Sequence, residues 1–142
     1  MDNVGIVVSD LKAAIAFFSE LGMELVGQTT VTGDWVDRTI GLKDVQSDIA
    51  LMQTPDGLSK IEFSRFKTPE VSTPDLKNEQ MNTLGKHRIM FTVDDIKDTV
   101  ARLRTYGAEL VGEIVQYKDI YLLCYLRGPE GIMVALAEEI GT

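Results

Sequence analysis

The chain of 142 residues has little of what several classes of protein require. It contains a single cysteine, Cys124, so a disulfide framework within the chain is excluded. Its apolar runs stay well short of the roughly 20 residues that a membrane-spanning helix needs. The first residues lack the basic, apolar and small-residue pattern of a signal peptide. We therefore expect a cytoplasmic protein without a membrane partner, of a length that fits one domain.

Positive charge and histidine are also scarce. Fourteen Lys and Arg stand against 22 Asp and Glu, which gives a formal net charge of −8. Because nucleic-acid binding depends on clustered cations, we expect no nucleic-acid partner. A catalytic thiolate would need a nearby base, and His87 is the only histidine. Cys124 lies in an apolar run, and we interpret it as a small buried hydrophobic residue.

The sequence does contain an internal repeat. Residues 3–28 align without a gap with residues 88–113, and nine of these 26 positions are identical. In each copy a short apolar strand precedes an aspartate at a helix N-cap position, Asp10 or Asp95. A glycine suited to a left-handed helix end follows each helix. The predicted apolar helix faces are Leu11, Ala14, Ile15 and Phe18 in the first copy and Ile96, Thr99, Val100 and Leu103 in the second.

Each copy also ends in a predicted hairpin. The turns are Pro-Asp-Gly at residues 55–57 and Pro-Glu-Gly at residues 129–131, in which proline and glycine suit successive turn positions. Each half is therefore predicted to be a βαβββ module. The first module covers residues 1–66, a polar linker covers residues 67–85, and the second module covers residues 86–142.

The two halves resemble the vicinal oxygen chelate superfamily, which includes glyoxalase I, bleomycin-resistance proteins, extradiol dioxygenases and fosfomycin-resistance transferases. The resemblance rests on residues 2–10 (DNVGIVVSD), residues 87–95 (HRIMFTVDD) and the turn 128–131 (GPEG). It implies an α+β fold in which two tandem βαβββ modules form a curved, cleft-forming mixed sheet. It also implies that residues 1–142 form one domain and that the protein is a homodimer.

In this superfamily the first and last strands of each half usually offer His or Glu to a shared divalent metal. The resemblance places Asn3, Glu62, Arg88 and Ala135 at these positions. Of these, only Glu62 is a usual ligand type, since Arg88 is a permanent cation and Ala135 has no donor atom. His87 is one residue out of register, and without a β-bulge its side chain points to the opposite face. We expect no cofactor; the alternative is one divalent metal bound by Glu62 and His87.

Asn3, Glu62 and Arg88 face the same cleft if this alignment holds, and three interpretations stay open. Glu62 and Arg88 form an ion pair in place of the metal. Alternatively, Arg88 binds an anionic or carbonyl group of a ligand, Glu62 accepts a hydrogen bond or proton, and Asn3 orients the ligand. In the third, Glu62 is a catalytic residue that transfers a proton.

Further candidates for ligand binding are aromatic or basic. Trp35 and Arg38 follow the second strand of the first half, in a segment predicted to be a short helical turn or a loop that covers the cleft. Tyr121 is spaced by four residues from both Tyr117 and Tyr125. If the three tyrosines share one strand they point to one face, where they line the cleft or pack in the core.

Three hypotheses about function follow from these observations. The first is a glyoxalase- or bleomycin-resistance-like protein that binds a small organic molecule in the inter-module cleft without the usual metal. The second is an enzyme, either a metal-dependent lyase, isomerase or dioxygenase with unorthodox ligands or a metal-free catalyst built on Glu62. The third is an interaction protein whose cleft is vestigial. We expect the first of these.

Overall fold

The computed structural model describes residues 1–75 and 79–141. The chain divides into two compact units, Met1–Pro74 and Asp75–Thr142. The boundary falls inside the predicted linker, of which residues 76–78 lie outside the described residues. That the two units make one domain stays a prediction. In the described part of the chain, no helix has the length and apolar character needed to cross a membrane.

The first unit has the predicted βαβββ order with one added helix. Its strands form a mixed sheet in the order β1-β4-β3-β2, in which only the β1–β4 pair is parallel. The segment that the sequence left open between turn and loop is a helix, α2, which ends at Gly41 in the left-handed conformation (φ 82°). The elements are β1 (Val4–Val7), α1 (Leu11–Glu20), β2 (Glu24–Thr32), α2 (Asp34–Ile40), β3 (Gln46–Gln53) and β4 (Lys60–Thr68).

The second unit repeats this topology with its second strand split in two. The sheet order is β5-β9-β8-β6, and β7 also pairs with β8. As in the first unit, the first and last strands, here β5 and β9, are parallel. The elements are β5 (Ile89–Thr92), α3 (Ile96–Arg104), β6 (Glu109–Leu110), β7 (Val115–Tyr117), β8 (Tyr121–Arg127) and β9 (Met133–Glu139), with a 3₁₀ turn at Pro129–Gly131. The α+β class and the two modules are therefore confirmed.

Local sequence signals account for where the helices begin and end. The Asp10 carboxylate accepts a hydrogen bond from the backbone N–H of Ala13 at 3.0 Å. Asp95 accepts one from the N–H of Asp98 at the same distance. These contacts satisfy N–H groups that have no partner inside the helix. The predicted glycine after each helix has a positive φ, 97° in the first unit and 90° in the second.

In the first unit α1 packs against β2, β3 and β4 and covers one face of the sheet. The rings of Phe18 and Phe63 lie with their centroids 5.1 Å apart, so Phe63 marks the covered face. The predicted α1 face is confirmed at Ala14 and Phe18, whereas Leu11 and Ile15 are half-buried. Buried apolar side chains of α1, β3 and β4 are Ala14, Phe17, Phe18, Ala50, Met52, Ile61 and Phe63.

In the second unit α3 packs against β9. The Glu138 carboxylate accepts a hydrogen bond from the N–H of Ile96 at 3.1 Å, which marks the covered face of this sheet. Cys124 is buried on the same face, and desolvation raises the pKa of its thiol to about 11. The predicted α3 face and the buried cysteine are therefore confirmed. The core consists of Ile96, Thr99, Val100, Leu103, Cys124, Leu126, Val134 and Leu136.

Candidate functional site

The face of the first sheet opposite α1 contains Glu62, and we call it the Glu62 face. Side chains alternate along a strand, and directly paired residues share a face. Glu62 pairs with Gly5 on β1 and with Leu51 on β3. Asn3 lies two residues before Gly5, and its side-chain amide donates to the Asp2 carboxylate at 2.7 Å. The structure therefore places Asn3 directly before β1 and the half-buried Glu62 on β4, the strand that pairs with β1.

The face of the second sheet opposite α3 contains Arg88, and we call it the Arg88 face. Ala135 on β9 pairs with Met90 and Tyr125, and Arg88 lies two residues before Met90. Arg88 Nε donates to the Tyr125 hydroxyl at 2.8 Å, and its guanidinium carbon lies 5.7 Å from the centroid of that ring. This geometry, which combines a hydrogen bond with a cation–π contact, gives the guanidinium a defined position on an exposed side chain.

The three tyrosines share the Arg88 face, but not because they share a strand. Tyr117 lies on β7, and the chain turns before β8, with the N–H of Ile120 donating to the Tyr117 carbonyl at 3.2 Å. The three tyrosines therefore lie on two strands and not on one. Tyr117 nevertheless pairs with Tyr121 across the two strands, and Tyr125 follows on β8. Tyr117 is 46% exposed and the other two are half-buried, so the row is not part of the core.

Trp35 and Arg38 lie on α2 of the first unit. Trp35 is 62% exposed, and its carbonyl accepts a hydrogen bond from the Thr39 hydroxyl at 2.7 Å. Arg38 pairs with Asp34 at 3.5 Å, and both side chains are at least 80% exposed. That these residues bind a ligand stays a prediction. Glu62 and Arg88 belong to different units, and their pairing also stays a prediction.

Residues 1–136 match the sequence profile of the Glyoxalase/Bleomycin resistance protein/Dioxygenase superfamily. The chain belongs to this superfamily. A search of curated proteins found no match. The crystal structure of a glyoxalase family protein from Bacillus cereus is similar, with a TM-score of 0.93 and 53% identity. The match covers 99% of this chain and 94% of that protein.

More distant members of the superfamily share the fold. The trypanothione-dependent glyoxalase I of Leishmania major has a TM-score of 0.66 at 20% identity, covering 98% of this chain and 86% of that one. The fosfomycin resistance protein FosX of Listeria monocytogenes, a mutant of which was crystallised with Mn(II) and a dihydroxypropylphosphonic acid, has a TM-score of 0.62 at 12% identity. That match covers all of this chain and 90% of the other.

The residues at the superfamily's metal-binding positions do not fit a metal. Ala135 is fully buried and has no donor atom, and the Arg88 guanidinium donates to Tyr125. His87 is exposed two residues before β5, and because its neighbour Arg88 contacts Tyr125 on the Arg88 face, alternation directs His87 to the opposite side. Among residues 1–75 and 79–141, no group of three or more His, Cys, Asp or Glu side chains is arranged to hold a metal ion.

A cavity of about 310 Å³ lies beside the first turn of α1, away from these residues. Asp48 at its wall accepts a hydrogen bond from the Thr30 hydroxyl at 2.7 Å and pairs with Arg65 and Lys67. These contacts, the one with Thr30 first, hold the pKa of Asp48 below its ordinary value of 3.8. Both cations already contact Asp48, so we interpret the cluster as structural. The lining residues are Leu11, Gln28, Thr29, Thr30, Asp48 and Ile49.

Sequence reasoning missed a second arginine on the Arg88 face. Arg127 follows Tyr125 by two residues on β8 and therefore shares its face. One Nη of Arg127 donates to the Glu79 carbonyl at 2.7 Å. The Glu79 carboxylate lies 3.6 Å from the ammonium of Lys86, whose side chain is 9% exposed. The spacing from Tyr125 is the signal that could have identified Arg127, whereas its contact with Glu79 has no signature in the sequence.

Proposed function

We propose that this superfamily member binds a small organic anion on its Arg88 face, without the metal that its relatives use. The ligand group that fits the Arg88 guanidinium is a carboxylate, or a carbonyl group beside a carboxylate. The proposal rests on one observation, the position of Arg88 against Tyr125. Arg88 Nε donates to the Tyr125 hydroxyl and the guanidinium contacts the Tyr125 ring, while the Arg88 side chain stays exposed. Within the described residues the two Nη groups of Arg88 have no hydrogen-bond partner.

The chemistry of a guanidinium suits this role. Its planar fork donates two parallel hydrogen bonds to a carboxylate, which a point charge such as lysine cannot match. Because Nε is already fixed by Tyr125, less side-chain freedom is lost when a ligand binds. An exposed charge pair contributes little on its own, so we expect a compact acid to bind with a Kd of about a millimolar.

The loss of metal ligands supports the metal-free form of the proposal. Ala135 lies opposite Tyr125, close to where Arg88 makes its contacts, and it brings no donor atom that would compete for a ligand. In this proposal Glu62 and Asn3 remain candidates for accepting a ligand proton and for orienting the ligand. The inter-module cleft, the homodimer and the cytoplasmic location remain expectations that family resemblance supports.

Thermal unfolding in EDTA tests the proposal, with pyruvate as a probe that has both a carboxylate and a carbonyl. Pyruvate should raise the midpoint relative to sodium chloride at equal ionic strength, because a ligand of the native state stabilises it by mass action. Arg88→Ala should abolish the shift, and Arg88→Lys should weaken binding about tenfold. Arg104→Ala removes an exposed arginine at the end of α3 and should leave the shift unchanged.

A metal titration tests the alternative. Purified protein is analysed for Mn, Fe, Co, Ni and Zn, and each metal is then titrated while unfolding is followed. A stoichiometric metal that Glu62→Ala removes would overturn the metal-free proposal and favour a metal-dependent lyase, isomerase or dioxygenase. We expect no metal to bind stoichiometrically. A pyruvate shift that persists in Arg88→Ala would overturn the binding site itself.

A further inference from the structure

The Arg88 face continues beyond Arg88 as an exposed apolar and aromatic surface. Met90, two residues from Arg88, is 46% exposed, and Val115 on β7 is 54% exposed. The tyrosine row adjoins them, with Tyr117 on β7 beside Val115 and with Tyr121 and Tyr125 on β8, while the β9 side chains Ala135 and Ala137 between Met90 and the row are buried. An exposed apolar patch that adjoins a positioned charge marks a binding surface more often than a random stretch of protein surface does.

The charges on this face lie at its two ends, and Arg127 lies beside Tyr125 at the same end as Arg88. Arg88 lies over Tyr125 at one end. At the other end Lys118 lies 5.4 Å from the ring centroid of Tyr117, and Glu139 pairs with Tyr121. The positive and negative charges of that second end offset one another, whereas Arg88 has no carboxylate partner among the described residues. Because an Nη of Arg127 already donates to the Glu79 carbonyl, a ligand with one acidic group is directed to Arg88.

We infer that the ligand is an aromatic carboxylate whose acid group binds Arg88 and whose ring system packs on the tyrosine row. This inference names the ligand class for the proposed function and depends on anion binding at Arg88. Tyrosine rings provide a large contact area at a small cost in side-chain entropy, and they prefer offset or edge contacts with other rings. The row extends about 13 Å from Tyr125 to Tyr121 at strand spacing. Two fused rings with a carboxylate therefore reach from Arg88 toward Tyr121, which one ring does not.

Isothermal titration calorimetry with four probes tests this inference: acetate, benzoate, 2-naphthoate and the neutral 2-naphthalenemethanol. Affinity should rise in the order acetate, benzoate, 2-naphthoate, with about a tenfold difference or more between the first and the last. Tyr121→Leu and Tyr117→Leu should each weaken 2-naphthoate binding about fivefold and leave acetate binding unchanged. Tyr121→Phe keeps the ring and should retain the wild-type affinity.

Tyr106→Leu is the matched control, because Tyr106 lies after α3 and is 43% exposed, close to the 46% of Tyr117. It should leave all four affinities unchanged, and urea unfolding confirms that each variant is folded.

Equal affinity for acetate and 2-naphthoate would overturn the inference but leave the proposed function standing. Equal affinity for 2-naphthoate and the neutral alcohol would instead remove Arg88 from the site. Failure of all four probes would overturn both proposals.

Discussion

Phe63 and Leu136 occupy the same place in the two units, each on the last strand and each paired with an apolar residue of the first strand. One position earlier the units differ, because Glu62 in the first unit corresponds to Ala135 in the second. Asn3 likewise corresponds to Arg88 in the internal repeat. The two units therefore agree on the face that a helix covers and differ on the opposite face.

This difference has a physical origin. The part of the covered face beneath each helix must bury apolar area, so the corresponding positions Ala50/Cys124, Ile61/Val134 and Phe63/Leu136 change only among apolar types. On the opposite face the corresponding positions differ in charge, as the pairs Glu62/Ala135 and Asn3/Arg88 show, although Ala135 is itself buried. We therefore expect the functional residues of this chain on the Glu62 and Arg88 faces, where the two halves have diverged.

The largest expected effects come from the covered faces. Phe63→Ala should lower the free energy of unfolding by about 3–5 kcal/mol, and Leu136→Ala by about 2–5 kcal/mol, because each leaves a cavity in a packed core. Urea unfolding measures both. Glu62→Ala and Tyr121→Leu on the opposite faces should each cost less than about 1 kcal/mol. If Tyr121→Leu costs as much as Leu136→Ala, the tyrosine row belongs to the core and the contrast between the faces fails.

A second prediction uses Cys124, which corresponds to Ala50 in the first unit through the paired registers. Burial raises the pKa of the Cys124 thiol from an ordinary value of 9.0 to about 11, so the folded state favours the protonated form. The resulting stability is complete below pH 9 and is lost as the pH rises toward 11, by about 2 kcal/mol. Cys124→Ala should remove this alkaline loss, as urea unfolding from pH 8 to 11 would show. An identical slope in the variant would mean that the thiol is not desolvated.

Smaller effects on the free energy of unfolding, of similar size in the two units, are expected at the helix N-caps. Asp10→Ala and Asp95→Ala each remove an acceptor for a backbone N–H and should lower the free energy of unfolding by about 1 kcal/mol. Thermal unfolding at neutral pH measures the two changes side by side. Since the two caps have the same geometry, a large loss of unfolding free energy in one unit and none in the other would show that the two helices do not depend on their caps in the same way.

The smallest effect is expected at α2, which has no counterpart among residues 79–141. Arg38→Ala removes an exposed ion pair with Asp34 and should change the free energy of unfolding by about half a kcal/mol at most. Urea unfolding in low and high salt measures this change. A loss above 1 kcal/mol that salt does not reduce would show that Arg38 has a structural role beyond the ion pair.

The sequence predicted those features of the fold that depend on nearby residues. The repeat, the caps at Asp10 and Asp95 and the buried face of α3 follow from spacing and residue type alone. The split of the second strand in the second unit was missed. Val111 still donates to the Tyr125 carbonyl at 2.9 Å, but Gly112 has no side chain to pack, and regular pairing resumes only at Val115. Such breaks depend on the partner strand, which local patterns do not describe.

For the candidate site, the sequence predicted which residues to consider but not the contacts between them. The family resemblance singled out Glu62 and Arg88, and the structure has them on the faces opposite the helices. The contact between Arg88 and Tyr125 joins residues 37 apart in the chain, and no spacing rule connects them. A shared strand was the condition for placing the three tyrosines on one face, but Tyr117 reaches that face by pairing with Tyr121 across two strands. Pairing between strands therefore decides which side chains meet, and spacing along the chain does not describe it.

An NMR titration of isotopically labelled protein with pyruvate in EDTA locates the anion-binding residues directly. We predict saturable shifts that are largest at Met90, Tyr125 and Ala135 and that disappear in Arg88→Ala. Shifts that are largest at Leu51 and Glu62, and that persist in Arg88→Ala, would contradict it. In that case the anion would bind on the Glu62 face, and the functional difference between the two halves would be the reverse of the one proposed.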